Sequence, residues 1–315
     1  MNYIPLFRNR DFGLLFSDSI QYVIQNARSL YFPLLMYAAP VIAIGGIVGG
    51  FFTQDLMEGY IDAIRNGLSG GSFEDAFLEM AQGQAQSPGS MAMVWLASLV
   101  SVVGNILMAG IVYQHMIAYS QNPEDVEDKE QLRAEAFGFF GKLLWTSIVL
   151  GFFIFLFVFA YALLVGLTAA LTPVLGVLIG IGGMVFMFYL GVPLAMLYVV
   201  VMYEGVRPLD GMRRCFDLIK GHWWKFFGVL FVMYIAVGMV SAVVSIPMTL
   251  LSGIGTVPMM IGQLVLAAVT VVLNAPIMVA SGMQYFSTSN VVGEDQYIGD
   301  VIDEIGGNQD EAGSW

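Results

Sequence analysis

An all-α fold, a polytopic bundle of six transmembrane helices, follows from three features of the chain. Its apolar runs are long enough to cross a bilayer, its charge is confined to the segments between them, and its basic residues gather on one side of the resulting layout. The 315 residues are 58% hydrophobic and only 11% charged, with a mean hydropathy of +0.77, whereas soluble domains carry about 25% charged residues. A bilayer-crossing helix needs about 20 apolar residues in sequence. Six runs meet that length, at about 30–52, 91–119, 143–167, 174–203, 226–250 and 257–286. A soluble protein would have to hide all six in one core. The arrangement predicted is three helix hairpins flanked by amphipathic interfacial helices. Residues 1–306 are read as one integral membrane domain and 307–315 as a polar acidic tail.

The first 28 residues read as a surface-lying or re-entrant helix, with Phe12, Leu15, Phe16, Ile20, Val23 and Ile24 in an incomplete 3.6-residue pattern. No short apolar core with a small-residue cleavage site follows Arg8 and Arg10, so a cleavable signal peptide is not expected. Span 1 contains Pro33 and Pro40, which can kink a transmembrane helix. It ends in the overlapping pairs Gly45/Gly49 and Gly46/Gly50, suited to close helix contact. Residues 53–90 form a long acidic loop on the outside. One amphipathic helix there carries Leu56, Tyr60, Ile61, Ile64 and Leu68, and a shorter one starts near Ser72.

Span 2 is longer than a bilayer requires and is expected to tilt or to extend beyond the lipid. An acidic stretch from Glu124 to Glu135 then leads through Phe137, Phe139 and Phe140 to Lys142 and span 3. A tight turn at Thr172-Pro173 joins spans 3 and 4, and span 4 is rich in glycine with a bend expected at Pro193. Span 5 holds Pro247, and span 6 holds Asn274 and Pro276. After span 6 the residues Ile298, Val301, Ile302 and Ile305 fit one more amphipathic helix. Three lead-ins to a hairpin, Ser19–Leu35, Ala134–Ile148 and Met212–Leu230, share an order of residue classes: amphipathic helix, basic residue, aromatic belt, span. That pattern fits three parallel repeats.

Net charge is −12, and its distribution sets the orientation. With the N-terminus inside, Arg8, Arg10, Arg28, Lys129, Arg133, Lys142, Arg207, Arg213, Arg214, Lys220 and Lys225 face the cytoplasm, and only Arg65 lies outside. The expected location is the bacterial cytoplasmic (inner) membrane with both termini in the cytoplasm. The acidic balance disfavours nucleic acid as a partner.

The densest basic segment, Arg207–Leu230, reads as a short helix with an apolar stripe of Leu209, Met212, Phe216 and Ile219 opposite Asp210, Arg213, Arg214, Asp217 and Lys220. That spacing suits a helix lying in a membrane surface. Gly221 turns the chain, and His222, Trp223, Trp224 and Lys225 supply an interfacial belt. Arg207, Arg213, Arg214, Lys220, Trp223, Trp224 and Lys225 are therefore the candidate contacts for anionic lipid or a membrane-protein partner. Their bland alternative is that they only orient the chain.

Little else carries chemistry. One cysteine, Cys215, excludes an internal disulfide framework. His115 and His222 have no acids or cysteines arranged around them as a catalytic or zinc site would require, so no metal or cofactor is expected. Gly253-Ile254-Gly255 has no following Lys-Ser/Thr, which excludes a phosphate loop reading. Four amides, Asn105, Gln114, Gln263 and Asn274, lie within spans. They serve as interhelical hydrogen-bonding groups or line a solute pathway. No Asp, Glu, Lys or Arg occurs from 143 to 203 or from 226 to 293, and proton-coupled transport ordinarily uses intramembrane ionisable groups.

The segments Tyr203-Glu204-Gly205-Val206-Arg207-Pro208-Leu209 and Phe216-Asp217-Leu218-Ile219-Lys220-Gly221-His222-Trp223-Trp224-Lys225-Phe226-Phe227-Gly228 resemble a group of uncharacterised bacterial and archaeal six-span membrane proteins. Their relatives include the membrane domain attached to some glycerophosphoryl diester phosphodiesterases. The tail Gln284-Tyr285-Phe286-Ser287, with Ile302-Asp303-Glu304-Ile305-Gly306, is similar to the end of one version of that group. There a leucine and a glutamate usually follow, and here Thr288, Ser289 and Asn290 do. The resemblance implies a helical inner-membrane fold and brings no catalytic residues, because the phosphodiesterase module is a separate barrel. The function expected is a non-enzymatic scaffold or accessory protein touching anionic lipid or a partner. The alternatives are a small-solute or lipid-like permease or channel, and then a membrane-embedded enzyme.

Overall fold

The computed structural model describes residues 4–50, 88–121, 129–252 and 255–311. The two helices expected in the long acidic loop, and the start of the acidic stretch after Pro123, lie outside the described residues. Among the described residues all regular structure is helical. In chain order the helices are α1 (Phe12–Gln25), α2 (Ala27–Gly50), α3 (Pro88–Gln121), α4 (Lys129–Leu171), α5 (Pro173–Leu194), α6 (Leu197–Tyr203), α7 (Pro208–Ile219), α8 (Trp223–Ser252) and α9 (Thr256–Glu311). Six stretches among the described residues are long and apolar enough to cross a membrane: Ala27–Gly50, Val94–Gln121, Gly138–Thr168, Val174–Tyr203, Trp223–Met248 and Thr256–Ser289. They coincide with the six runs read from the sequence, and the fold is a polytopic six-span helical bundle.

The three hairpin lead-ins differ in build. Asn26 separates α1 from α2 and Gly221 lies between α7 and α8, but the middle one is continuous with its span in the 43-residue α4. Likewise the amphipathic segment expected after span 6 continues α9 without a break, and the helix runs on to Glu311, into the stretch read as a polar tail.

The chain divides into two compact units, residues 1–27, 112–234 and 276–315 in the first, and 28–111 and 235–275 in the second. In the second unit the glycine pairs of α2 serve two different neighbours. A Cβ at Gly45 would overlap Ser101 Oγ and sit 3.1 Å from both Ala97 O and Ser101 N. A Cβ at Gly46 would lie 2.7 Å from Gln263 Oε1, and one at Gly50 would lie 3.2 Å from Met259 Sδ. Small residues let helix backbones approach closely, which is what holds helices together where the surrounding solvent is itself apolar. Pro33 and Pro40 bracket a π-helical turn, Leu34–Ala38, in α2. Each proline withholds an amide hydrogen from the carbonyl one turn before it, and the ladder widens to accommodate that loss. Pro276 frees the Val272 carbonyl of α9 in the same manner, and the Tyr31 hydroxyl donates to it at 3.0 Å.

The first unit has a dense core and an outlying hairpin. Every residue of α9 from Val279 to Thr288 is buried, as are Val112–Ile117 of α3 and most of α6. The α4–α5 hairpin is the opposite. The Tyr161 ring covers Gly183, its hydroxyl donates to the Ile179 and Gly180 carbonyls at 2.6 Å, and Phe157 stacks on it at 5.9 Å. Facing outward are Phe152, Phe155, Leu163, Leu167, Val177, Ile181, Val185 and Phe188, all exposed. A soluble protein rarely exposes a contiguous apolar patch larger than a few hundred Å². Here the exposed ring of large apolar side chains runs the length of two spans, and hydrocarbon is the solvent that it fits.

Candidate functional site

The stretches that carry the resemblance, 203–209, 216–228 and 284–287, meet residues 4–12 within the first unit. Residues 4–10 form an irregular strap ahead of α1. Asp11 caps α1 by accepting from Leu14 N at 2.7 Å. The strap is held at both ends. Ile4 N donates to the Tyr119 hydroxyl at 3.1 Å, and Arg10 N donates to Ser287 Oγ at 3.1 Å. Lys225 Nζ donates to the Arg10 carbonyl at 2.9 Å. Phe7 meets Phe286 edge-on at 5.1 Å and lies 6.2 Å from the ring of Tyr203.

Arg10 is the centre of this arrangement. Its side chain is fully buried and pairs with Asp18 of α1 at 2.8 Å. Its other donors go to the Leu6 carbonyl at 2.7 Å, the Pro5 carbonyl at 2.6 Å and the Arg8 carbonyl at 3.2 Å. Burial holds this guanidinium below the ordinary arginine pKa, and the hydrogen bond and charge of Asp18 oppose that shift. The buried face of α1 accordingly mixes polar Asp18, Ser19 and Tyr22 with apolar Leu15 and Val23, while Ile20 and Ile24 lie outside. Tyr22 in turn shares a hydrogen bond with His115 Nδ1 at 2.8 Å, so this histidine belongs to the core of the unit.

A second node is Glu204. One carboxylate oxygen, Oε1, accepts from both Arg214 Nε and the Tyr285 hydroxyl, each at 3.1 Å. Gly205 and Gly221 adopt positive φ, 71° and 76°, ending α6 and α7 in the left-handed conformation that glycine adopts without a Cβ clash. Helix α7 then packs on α5 and α6. The face it presents to them is Pro208, Gly211, Cys215, Leu218 and Ile219. That is rotated by about a quarter turn from the stripe expected, at 100° per residue: Leu209 is exposed and Met212 and Phe216 are half-buried. Small size decides the matter. A Cβ at Gly211 would already lie 2.9 Å from Val201 Cγ2 and 3.2 Å from Leu197 Cδ1, so this face comes closer than the greasier one could. The displaced apolar residues flank the basic stripe on the outside.

The expected contact residues therefore divide. Arg214 is held by Glu204, and Lys225 by the strap. Lys220 pairs with Asp217 at 2.7 Å on an exposed surface, and this hydrogen bond holds the Asp217 carboxyl below the ordinary range. Trp223 is half-buried, and its indole N–H donates to the Tyr189 carbonyl at 3.2 Å. That carbonyl is the one that Pro193, lacking an N–H, leaves open four residues on. Trp224 is 77% exposed. Arg207 and Arg213 are exposed, and among the described residues neither forms an ion pair.

The four span amides lie in two units, Gln114 in the first and Asn105, Gln263 and Asn274 in the second. Asn105 Nδ2 donates to the Ser101 carbonyl and Asn274 Nδ2 to the Thr270 carbonyl, both at 2.8 Å, so each bonds the preceding turn of its own helix. Gln263 lies over Gly46 and Gly50, and Gln114 is buried. A fifth amide, Gln284, enters the sequence reading only as part of the tail that carries the resemblance, not among the span amides. It is fully buried, and neither its oxygen nor its nitrogen has a hydrogen-bond partner among the described residues. An unsatisfied buried group costs about 1–3 kcal/mol. Gln284→Met, close in shape and free of that cost, is expected to raise the thermal midpoint; thermal unfolding in mild detergent measures it, and a lowered midpoint would mean that the amide has a partner to lose.

Cys215 faces the core beside Glu204. Burial, reinforced by the Glu204 charge, pushes its thiol from an ordinary pKa near 9 up to about 12. A group whose pKa is raised on folding contributes stability fully present below its unfolded value. That contribution is lost as pH rises through the folded value. Wild type should therefore lose more stability between pH 9 and 12 than Cys215→Ala does. Parallel loss in both proteins would show the thiol not to be buried as described.

Comparison of the chain with family models, with curated proteins and with solved structures gave no match.

Proposed function

We propose that this chain is a non-enzymatic accessory protein of the bacterial inner membrane. Its termini lie in the cytoplasm, and it engages anionic lipid headgroups through the outer face of α7 and the start of α8. The observation that carries the reading is the pair Arg207 and Arg213, exposed and outside any internal ion pair among the described residues, with the exposed Leu209 on the same helix and the exposed Trp224 at the start of α8. Cations already committed to internal carboxylates have little left for a headgroup, and these two are not so committed. The apolar residues beside them suit the boundary between headgroups and acyl chains. The distribution of basic residues supports the orientation, and the resemblance to six-span inner-membrane proteins supports the location.

Each cation near an anionic surface contributes about 1 kcal/mol. Arg207→Gln with Arg213→Gln should therefore weaken retention of phosphatidylglycerol against phosphatidylcholine by about 30-fold, with the thermal midpoint unchanged. Native mass spectrometry of protein reconstituted from mixed vesicles reads both lipids in one spectrum. Equal retention by the variant and the wild type would overturn the proposal.

A further inference from the structure

We infer that a groove between α5 and α8 holds one acyl chain of an anionic glycerophospholipid from the leaflet at the basic end of the spans. The inference rests on the headgroup reading above and adds to it a specific seat for the chain. The cavity is about 450 Å³ and is lined by Met184, Phe188, Gly191, Phe227, Phe231 and Tyr234, among others. Such a volume is within the range of ligand sites, about 300–1,000 Å³. Along α5 the groove extends from Met184 to Ala195, about 16 Å at 1.5 Å per residue. Half of a hydrocarbon core about 30 Å thick is about 15 Å. The groove thus has the depth of one leaflet, which suits an acyl chain lying along the span. A crossing protein helix would need a seat twice as long.

Its walls are fixed. The Trp223 ring stacks on Phe227 at 5.1 Å and on Tyr189 at 5.4 Å, while its N–H is anchored on the Tyr189 carbonyl. The floor is open at Gly191, where a Cβ would meet no atom within 4 Å. Polarity is graded as a lipid requires. The lining is apolar, and just three residues ahead of Trp223 stands Lys220, at the C-terminal cap of the helix that carries Arg213 and packs on α5. Among the described residues the Lys220 ammonium is held only by the exposed Asp217 pair, and surface pairs of that kind are weak enough to exchange for a phosphate.

The test uses full-length protein in vesicles of phosphatidylcholine and phosphatidylglycerol, with either lipid carrying a photoreactive group midway along one acyl chain. Adducts are mapped by peptide mass spectrometry. The expected result is enrichment of phosphatidylglycerol adducts on 184–195 and 227–234 over 152–167, the exposed face of α4 that reports ordinary surrounding lipid. Gly191→Phe should fill the floor and lower the groove adducts about tenfold, leaving those on 152–167 unchanged. Ala195→Leu serves as a second filling variant should the first fail to fold. Equal labelling of groove and α4, no loss on filling, or a groove without lipid adducts, as a protein segment seated there would leave it, would each overturn the seat. Arg213→Gln with Lys220→Gln separates the two proposals. Loss of the phosphatidylglycerol preference with groove labelling retained is the result expected, and an unchanged preference would remove these cations as the headgroup contact while leaving the acyl seat in place.

Discussion

Asp18→Ala should be among the most damaging single substitutions in the chain. The Arg10 guanidinium is completely enclosed, and Asp18 is the carboxylate that balances it. Removing one partner of a buried ion pair strands the other in a low dielectric, at a cost of about 3–5 kcal/mol. The carbonyls of Pro5, Leu6 and Arg8 would still accept hydrogen bonds but would supply no countercharge. The expected outcome is release of the strap, with faster proteolysis ahead of α1 and a lowered thermal midpoint, both read on protein in mild detergent. Asp18→Asn, which keeps the shape and loses the charge, should fall in the same direction. Exchange of both residues for apolar ones should be far milder than either single change, since replacing a whole buried pair is often neutral. A single variant as stable as wild type would show that the guanidinium reaches water.

Gly45→Val is the second large effect. A Cβ alone at this position would overlap Ser101 Oγ and press on backbone atoms of α3, 3.1 Å from the Ala97 carbonyl and the Ser101 nitrogen. A side chain can rotate away, but a helix backbone cannot, so α2 and α3 must separate along that contact. Overpacking ordinarily costs about 1–3 kcal/mol, and a rigid backbone neighbour puts this site at the upper end. By contrast Gly49→Ala should be tolerated, because its Cβ would sit at an ordinary 3.5 Å from Ala97 Cβ. Thermal unfolding of the two variants in one detergent checks the contrast. Similar midpoints would contradict the close approach.

These two sites also mark what can be read from sequence and what cannot. The six spans and the glycine pairs were legible because both are periodic and local. Span length is set by the bilayer, and glycines four apart fall on one helix face. Arg10 was not legible. A basic residue near a span is assigned to the interface by rule, and its burial depends on three carbonyls offered by an irregular strap that has no period. The face of α7 failed for a related reason. Hydrophobicity ranks Leu209 and Phe216 above Gly211 and Cys215, whereas packing against Val201 and Leu197 ranks by size. Among the amides, Asn105 and Asn274 read as pathway or interhelical groups because sequence spacing is silent on whether a side chain bonds its own preceding turn. Trp223 reads as part of an interfacial belt for its amphipathic ring. Its tie to the Tyr189 carbonyl becomes intelligible only when Pro193 is set opposite it.

In the proposed orientation the exposed arginines face the inner leaflet. Cysteine accessibility in the Cys215→Ala background tests it directly, with single cysteines at Arg207, Arg213 and Arg65 probed in intact cells by a membrane-impermeant maleimide. The expected result is labelling at 65 in intact cells and at 207 and 213 only after the membrane is opened. Labelling at 207 or 213 in intact cells, or protection at 65 until the membrane is opened, would contradict the orientation and the lipid contact built on it.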